Sequence, residues 1–132
     1  MKLTPTQLNR IKKTVKKYNL NFIVLFGSQT ENATHKKSDI DLAYSSKTHF
    51  DYKKEYNLSQ ELQRILNSNI EIDLVNLNNV SPFLAKKIAF EGKLLAENTL
   101  HSFAYFQMYA FKLFNEFRPL MSLRDKFIAK NI

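Results

Sequence analysis

The chain has 132 residues and a formal net charge of +8, with 20 lysines and arginines against 12 acidic residues. It has no cysteine, which excludes disulfides, thiolate nucleophiles and Cys-ligated zinc. No stretch approaches ~18 consecutive apolar residues, and the first residues lack the apolar core of a signal peptide. Length and composition therefore predict one cytoplasmic domain, residues 1–132, whose positive charge suits an acidic partner: a nucleotide, an RNA or an acidic protein surface.

The first part of the chain predicts one helix, two strands and a long loop between the strands. Thr4 is a suitable N-cap, and the proline and glutamine that follow it predict a helix over residues 5–18. The apolar run 21–26 predicts a buried strand. The polar stretch 29–38 predicts an exposed loop with a short helical turn, and residues 39–44 predict the second strand.

The middle of the chain predicts two more strands and two more helices. Asp51 can cap a helix with one apolar stripe, and residues 70–76 alternate as a strand does. Ser81 can start a third helix that Gly92 ends as a left-handed cap residue, and residues 93–96 predict a short edge strand. This order predicts an α/β (α+β) fold: a small mixed sheet with flanking helices, formed by residues 1–97.

A long helix over residues 99–121 is predicted to have an unusual surface, because seven of the 17 aromatics lie between Phe103 and Phe117. One apolar stripe is formed by Phe103, Phe106, Ala110, Phe114 and Phe117. Four further residues lie partly outside this stripe: Tyr105, Met108, Tyr109 and Phe111. An exposed aromatic surface is typical of protein interfaces, so this segment is predicted to bind a partner; the alternative is that both faces are buried in this domain. Pro119 is expected to kink or end the helix, before a basic tail.

The residues most suggestive of chemistry lie after the first strand and in the second. Gly27 lets the backbone approach a phosphate, and Ser28 adds two donors. Ten residues later, Asp39 and Asp41 have the spacing that places both carboxylates on one face of a strand. Two such oxygen ligands suit Mg²⁺ when substrate phosphates complete its coordination. The alternative is a hairpin-like loop with a solvated aspartate pair.

A third carboxylate, Asp73, belongs to the alternating segment 70–76. If this strand neighbours the strand of Asp39 and Asp41, Asp73 joins them, and three carboxylates around two Mg²⁺ ions can clamp an in-line displacement at phosphorus. Glu71 is a second candidate on the same face and is ranked lower because it lies nearer the start of the strand. The alternative for Asp73 is a salt-bridged strand residue.

Gly27-Ser28, the ten-residue spacer, Asp39-Ile40-Asp41 and the later Asp73 resemble the nucleotidyltransferase superfamily related to DNA polymerase beta. The short length and the segment 90–97 followed by an aromatic helix are similar to its minimal (MNT) branch. This resemblance implies a polymerase beta-like fold, Mg²⁺ and ATP as cofactors, and an antitoxin paired with a HEPN-domain RNase toxin. It further implies transfer of AMP from ATP to a tyrosine of the toxin. Asp39, Asp41 and Asp73 would bind the metals, and Gly27, Ser28 and Gln29 would bind the nucleotide.

The chain departs from the family pattern directly after Ser28. Family members often carry arginines there, whereas this chain has Gln29, Glu31 and Asn32. Gln29 can still donate, and three later loop residues can act as substitute charges: His35, Lys36 and Lys37. Two other functions remain open: an antitoxin that neutralises its toxin by binding alone, which the missing arginines favour, and a nucleotidyltransferase that acts on RNA, which the +8 charge favours.

Overall fold

A computed structural model describes residues 2–27, 39–67 and 69–130. These form four strands, four α-helices and a short 3₁₀ helix at Leu77–Asn79. In chain order the elements are α1 (Pro5–Lys17), β1 (Leu20–Phe26), β2 (Ile40–Ser46), α2 (Tyr52–Leu66), β3 (Ile72–Asn76), α3 (Pro82–Glu91), β4 (Lys93–Glu97) and α4 (Ser102–Lys130). The predicted α/β layer fold, with a mixed sheet and a long C-terminal helix, is confirmed. None of the described helices is long and apolar enough to cross a membrane.

The four strands form one mixed sheet in the order β3-β2-β1-β4. β1 is antiparallel to both β2 and β4, whereas β2 and β3 are parallel. In this register Asp41 is paired with Phe26 on one side and with Asp73 on the other. The prediction that the strand of Asp73 neighbours the strand of Asp41 is thus confirmed.

Helices α1 and α2 cover one face of the sheet, and their caps fix where each begins. The Thr4 side chain accepts a hydrogen bond from the Gln7 N–H, and the Gln7 side chain accepts one from the Thr4 N–H, which completes the predicted capping box. Asp51 accepts a hydrogen bond from the Lys54 N–H at the start of α2. Beneath these helices lies the larger apolar core, which includes Ile11, Val15, Ile23, Leu42, Leu58 and Leu62.

Helices α3 and α4 cover the opposite face, which is the face of Asp41. Because side chains alternate along a strand, Ala43 shares this face with Asp41, and Val75 shares it with Asp73. Ala43 packs in a second core cluster with Phe26, Ile88 of α3 and Phe103 of α4, and Val75 packs against it.

The left-handed cap predicted at Gly92 is wrong, and so is one of the two outcomes predicted at Pro119, an end of the helix. Gly92 ends α3 in an extended conformation, with φ of −68° and ψ of 136°, rather than as a left-handed cap. A glycine is required there for space instead, because a Cβ atom would overlap the Ile88 carbonyl oxygen. Pro119 does not end α4, which continues to Lys130 and includes most of the predicted basic tail. Residues around Pro119 are exposed, so water can replace the one hydrogen bond that a proline removes.

The start of α4 also differs from the prediction, by three residues. The helix begins at Ser102 because His101 has a positive φ of 65°, which breaks the helical path from residue 99. The Glu97 carboxylate accepts hydrogen bonds from the N–H groups of His101 and Phe103, each at 3.1 Å. Glu97 therefore supplies the acidic cap that the first turn of α4 itself lacks.

Candidate active site

Gly27 and Asp41 lie against each other at one end of the sheet. Gly27 directly follows β1 with a φ of +78°, a left-handed conformation that residues with a side chain rarely adopt. A Cβ atom at this position would overlap the Oδ2 atom of Asp41 and would lie 3.2 Å from its Cγ atom. A glycine is therefore favoured here by the backbone conformation, and any side chain would displace the Asp41 carboxylate from its position.

Asp41 and Asp73 lie side by side, because residues paired in a parallel ladder point to the same face. Asp39 lies directly before β2 and is exposed. The N–H of the next residue, Ile40, donates to the Glu71 carbonyl at 3.0 Å and joins the starts of β2 and β3. All three predicted aspartates therefore lie at the same end of the sheet, with Asp41 on β2, which is one of the two inner strands.

The charged residues around Asp41 change the pKa of its carboxyl group. Partial burial raises the pKa of Asp41 above its ordinary value of 3.8, and the negative charges of Asp73 and Asp39 raise this pKa further. The positive charge of Lys87 on α3 lowers the same pKa. A partly buried carboxylate whose pKa is raised by burial and by neighbouring carboxylates is a candidate member of a functional site.

The donor set suits Mg²⁺ in its chemistry, although the described side chains do not form a three-ligand cage. Among the described residues, no group of three His, Cys, Asp or Glu side chains is arranged to hold a metal ion. Mg²⁺ in nucleotide sites is usually bound through one or two carboxylates, with the remaining positions taken by substrate phosphates and water. The adjacent carboxylates of Asp41 and Asp73 meet that smaller requirement.

Several predicted features of the site lie outside the described residues. These are Ser28 and Gln29, the short helical turn expected within residues 29–38, and the loop charges at 35–37. Among the described residues, the site therefore consists of Gly27, Asp39, Asp41 and Asp73, with Lys87 nearby.

Lys87 is the residue that the sequence did not single out. It appears in the sequence only as one of two adjacent lysines in a helix, and nothing local indicates which way either points. Its neighbour Ile88 is fully buried against the sheet, which is a signal that the helix turns one side of this segment toward β1 and β2. Lys87 approaches the aspartates because α3 runs back toward their end of the sheet, and the direction of α3 depends on tertiary structure.

A cavity of about 620 Å³ lies at the other end of β3, near the starts of α2 and α3. Its walls include His49, Asp51, Glu55, Asn76 and Ser81. Asp39, Asp41 and Asp73 do not line it, so this cavity is separate from the carboxylates.

Comparison with known proteins agrees with this geometry. Residues 9–100 match the family described as "Polymerase beta, Nucleotidyltransferase". The chain belongs to this family. The matched segment contains Gly27, all three aspartates and Lys87, and it ends before α4.

One similar protein is described as "Protein adenylyltransferase MntA", from Shewanella oneidensis. It is 36% identical over 76 residues, which are 58% of this chain and 53% of that protein, so the match spans about half the length of this relative.

Solved structures extend the similarity to nearly the whole chain. A structure described as a toxin-antitoxin with AMP-PNP has a TM-score of 0.72 and 27% identity, and the match covers 93% of this chain and 96% of that one. A second structure, of a tri-AMPylated Shewanella oneidensis HEPN toxin in complex with MNT antitoxin, has a TM-score of 0.66 and 25% identity, with 94% of each chain covered. These matches include the region of α4 that the family match omits.

Proposed function

We propose that this chain is a Mg²⁺-dependent protein adenylyltransferase that acts as an antitoxin by transferring AMP from ATP to a tyrosine of a HEPN-domain toxin. The observation that carries the proposal is the pairing of Asp41 with Asp73 beside Gly27. The similar proteins support it, because one is described as a protein adenylyltransferase and another was solved with an AMPylated HEPN toxin. The structure with AMP-PNP, an analogue of ATP, supports ATP as the nucleotide.

In this proposal Asp39 and Asp41 would hold both metal ions, and Asp73 would hold the metal that activates the hydroxyl. Bound Mg²⁺ supplies neutralisation of phosphate charge and a lower pKa for the attacking hydroxyl. Gly27 lets the backbone approach the β- and γ-phosphates, with Ser28 and Gln29 as further donors. The protein contributes position and charge rather than a covalent intermediate.

The proposed reaction is an in-line substitution at the α-phosphorus of ATP. The phenolic oxygen of the toxin tyrosine forms a bond to this phosphorus, and the bond from phosphorus to the bridging oxygen of the β-phosphate breaks. Pyrophosphate leaves with that electron pair, and the phenolic proton is released to solvent. A phenol has a pKa of ≈ 10 and is mostly protonated at neutral pH, and a metal held by the carboxylates would lower its proton affinity.

The toxin is proposed to bind on the outer face of α4. Tyr105, Met108 and Tyr109 are 67%, 68% and 59% exposed, so the alternative that both faces of this helix are buried within the domain is wrong. The opposite face is anchored by Phe103 and Ala110, which are buried against the sheet and α3. Aromatic and methionine side chains are enriched at protein interfaces, and the solved relatives are complexes with toxins.

The transfer proposal is tested with the candidate toxin and α-labelled ATP. We expect label on a toxin tyrosine and release of pyrophosphate. Asp73→Asn should keep much of the ATP binding but lose transfer, because Asp73 mainly serves the attacking oxygen. Glu71→Gln is the matched control, since Glu71 is an exposed carboxylate two residues earlier that the proposal does not use.

Masking without transfer is the competing function, and the exposed face of α4 is the observation that favours it. If wild type and Asp73→Asn neutralise the toxin equally and no label moves, masking is correct and the catalytic proposal is wrong.

Changing Tyr105, Met108 and Tyr109 to serine should leave the melting temperature unchanged and abolish the complex. If this triple variant unfolds, these side chains stabilise the domain itself and the interface proposal fails.

A further inference from the structure

Helix α3 returns the chain to the carboxylate end of the sheet. β3 ends at Asn76, which is paired with Tyr44 far from the aspartates. The residue that follows α3 and Gly92 is Lys93, which is paired with Leu25, one residue before the Phe26–Asp41 pair. Since α3 connects these two ends, its second half approaches the end of the sheet where Asp41 and Gly27 lie.

Two adjacent lysines in this part of α3 have different surroundings. The Lys86 ammonium lies 3.9 Å from the ring centre of Phe114 and 5.5 Å from that of Phe90, so it is directed along the α3–α4 side. Lys87 is exposed, and neighbouring residues on a helix point about 100° apart. Ile88, the next residue, packs with Phe26 and Ala43, which places Lys87 beside the strands that carry the site.

The Lys87 ammonium has no carboxylate partner among the described residues. The ion pair found within 4.0 Å among these residues is between Lys17 and Glu61 and does not involve Lys87. Its exposed ammonium is therefore available to a ligand.

A nucleotide polyphosphate in this site needs a cation besides the metal. Its several negative charges would lie next to three aspartates, and like charges at short distance repel strongly in a partly buried site. A lysine is a compact charge with three donors that suits phosphate oxygens.

We propose that Lys87 binds the polyphosphate of the nucleotide, donating its ammonium hydrogens to phosphate oxygens beside the Asp41–Asp73 pair. This inference rests on the proposed function, because it assumes that the aspartate site receives a nucleotide. It assigns to α3 a direct part in substrate binding.

The test compares Lys87→Met with Lys86→Met, since both remove an ammonium and keep the apolar stem at adjacent positions. Affinities for Mg²⁺·ATP and Mg²⁺·tripolyphosphate are measured by calorimetry. Lys87→Met should weaken both ligands by about 10- to 100-fold, as expected for loss of one charged hydrogen bond. Lys87→Arg and Lys86→Met should bind both within about threefold of wild type.

The outcomes separate this proposal from the one on which it rests. If wild type binds neither ligand, the proposed function fails together with the role of Lys87. If wild type binds and Lys87→Met binds equally well, only the role of Lys87 is wrong. A loss seen with ATP but absent with tripolyphosphate would also overturn it, because the lysine would then contact the nucleoside.

Discussion

Replacing Gly27 with alanine should both destabilise the domain and displace the Asp41 carboxylate. The left-handed conformation at φ of +78° costs a residue with a side chain about 1–2 kcal/mol. The new Cβ would also overlap Asp41 Oδ2, which has to rotate away. Strained sites of this kind cost about 1–3 kcal/mol in total, which corresponds to a fall in melting temperature of roughly 3–15 °C for a domain of this size.

Differential scanning fluorimetry with and without Mg²⁺·ATP measures both effects. Wild type at ~100 times the dissociation constant should gain about 2.7 kcal/mol from the ligand, and Gly27→Ala should lose most of that gain. Gly92→Ala is the matched control: its Cβ would overlap the Ile88 carbonyl, so it should lower stability and keep the ligand shift.

A double variant separates backbone strain from the clash. In Asp41→Ala the Oδ2 atom is absent, so adding Gly27→Ala to it should cost only the conformational part, about 1–2 kcal/mol. If Gly27→Ala costs the same in both backgrounds, the two residues do not compete for space. If Gly27→Ala alone keeps wild-type stability and the full ligand shift, the account of Gly27 given above is refuted.

Three further predictions concern stability in the absence of ligand. The pKa of Asp41 is raised in the folded state, so the stabilising contribution of its neutral form is present below pH 3.8 and is lost as pH rises through the folded pKa. Asp41→Asn should therefore raise the melting temperature at pH 7 and leave it near wild type below pH 3.8. A lower melting temperature of the variant at pH 7 would contradict this. Tyr44→Phe removes a 2.8 Å hydrogen bond from a fully buried hydroxyl to Glu55 and should cost about 1–2 kcal/mol in urea denaturation; an unchanged midpoint would show that water replaces the bond. Pro119→Ala should increase helical circular dichroism and stabilise α4 by up to ~3 kcal/mol, whereas a loss of helicity would mean that the helix does not run through this position.

The sequence predicted the order and type of the elements well, because each carries its own local signal. The capping box at Thr4 and Gln7 marks the start of α1, and the alternation of residues 70–76 marks β3 to within two residues. The predictions that are wrong concern features that are determined by tertiary contacts. The identity of Gly92 predicts a left-handed cap, whereas the structure shows that a glycine is required there because the Ile88 carbonyl is close. Such a contact cannot be predicted from the local sequence pattern.

The site was partly predictable for a similar reason. Spacing alone places Asp39 and Asp41 on one face of a strand, but only the strand order shows that Asp73 lies in register beside Asp41. The approach of Lys87 depends on the path of α3 and could not be predicted from the lysine-rich helix sequence. The exposure of Tyr105 and its neighbours was correctly inferred, because the helix carries more aromatics than one buried face can hold.

The structure gives Gly27 a second reason to be glycine. The sequence interpretation assigned it to close approach of a phosphate, which depends on a ligand. The overlap that a Cβ would make with Asp41 depends only on the protein, since β1 and β2 hold Phe26 and Asp41 in register. Glycine and aspartate are therefore coupled before any nucleotide binds: Gly27 supplies the space that lets the Asp41 carboxylate stand beside Asp73. This coupling makes Gly27 and Asp41 one structural unit, although residues 28–40 separate them in the sequence.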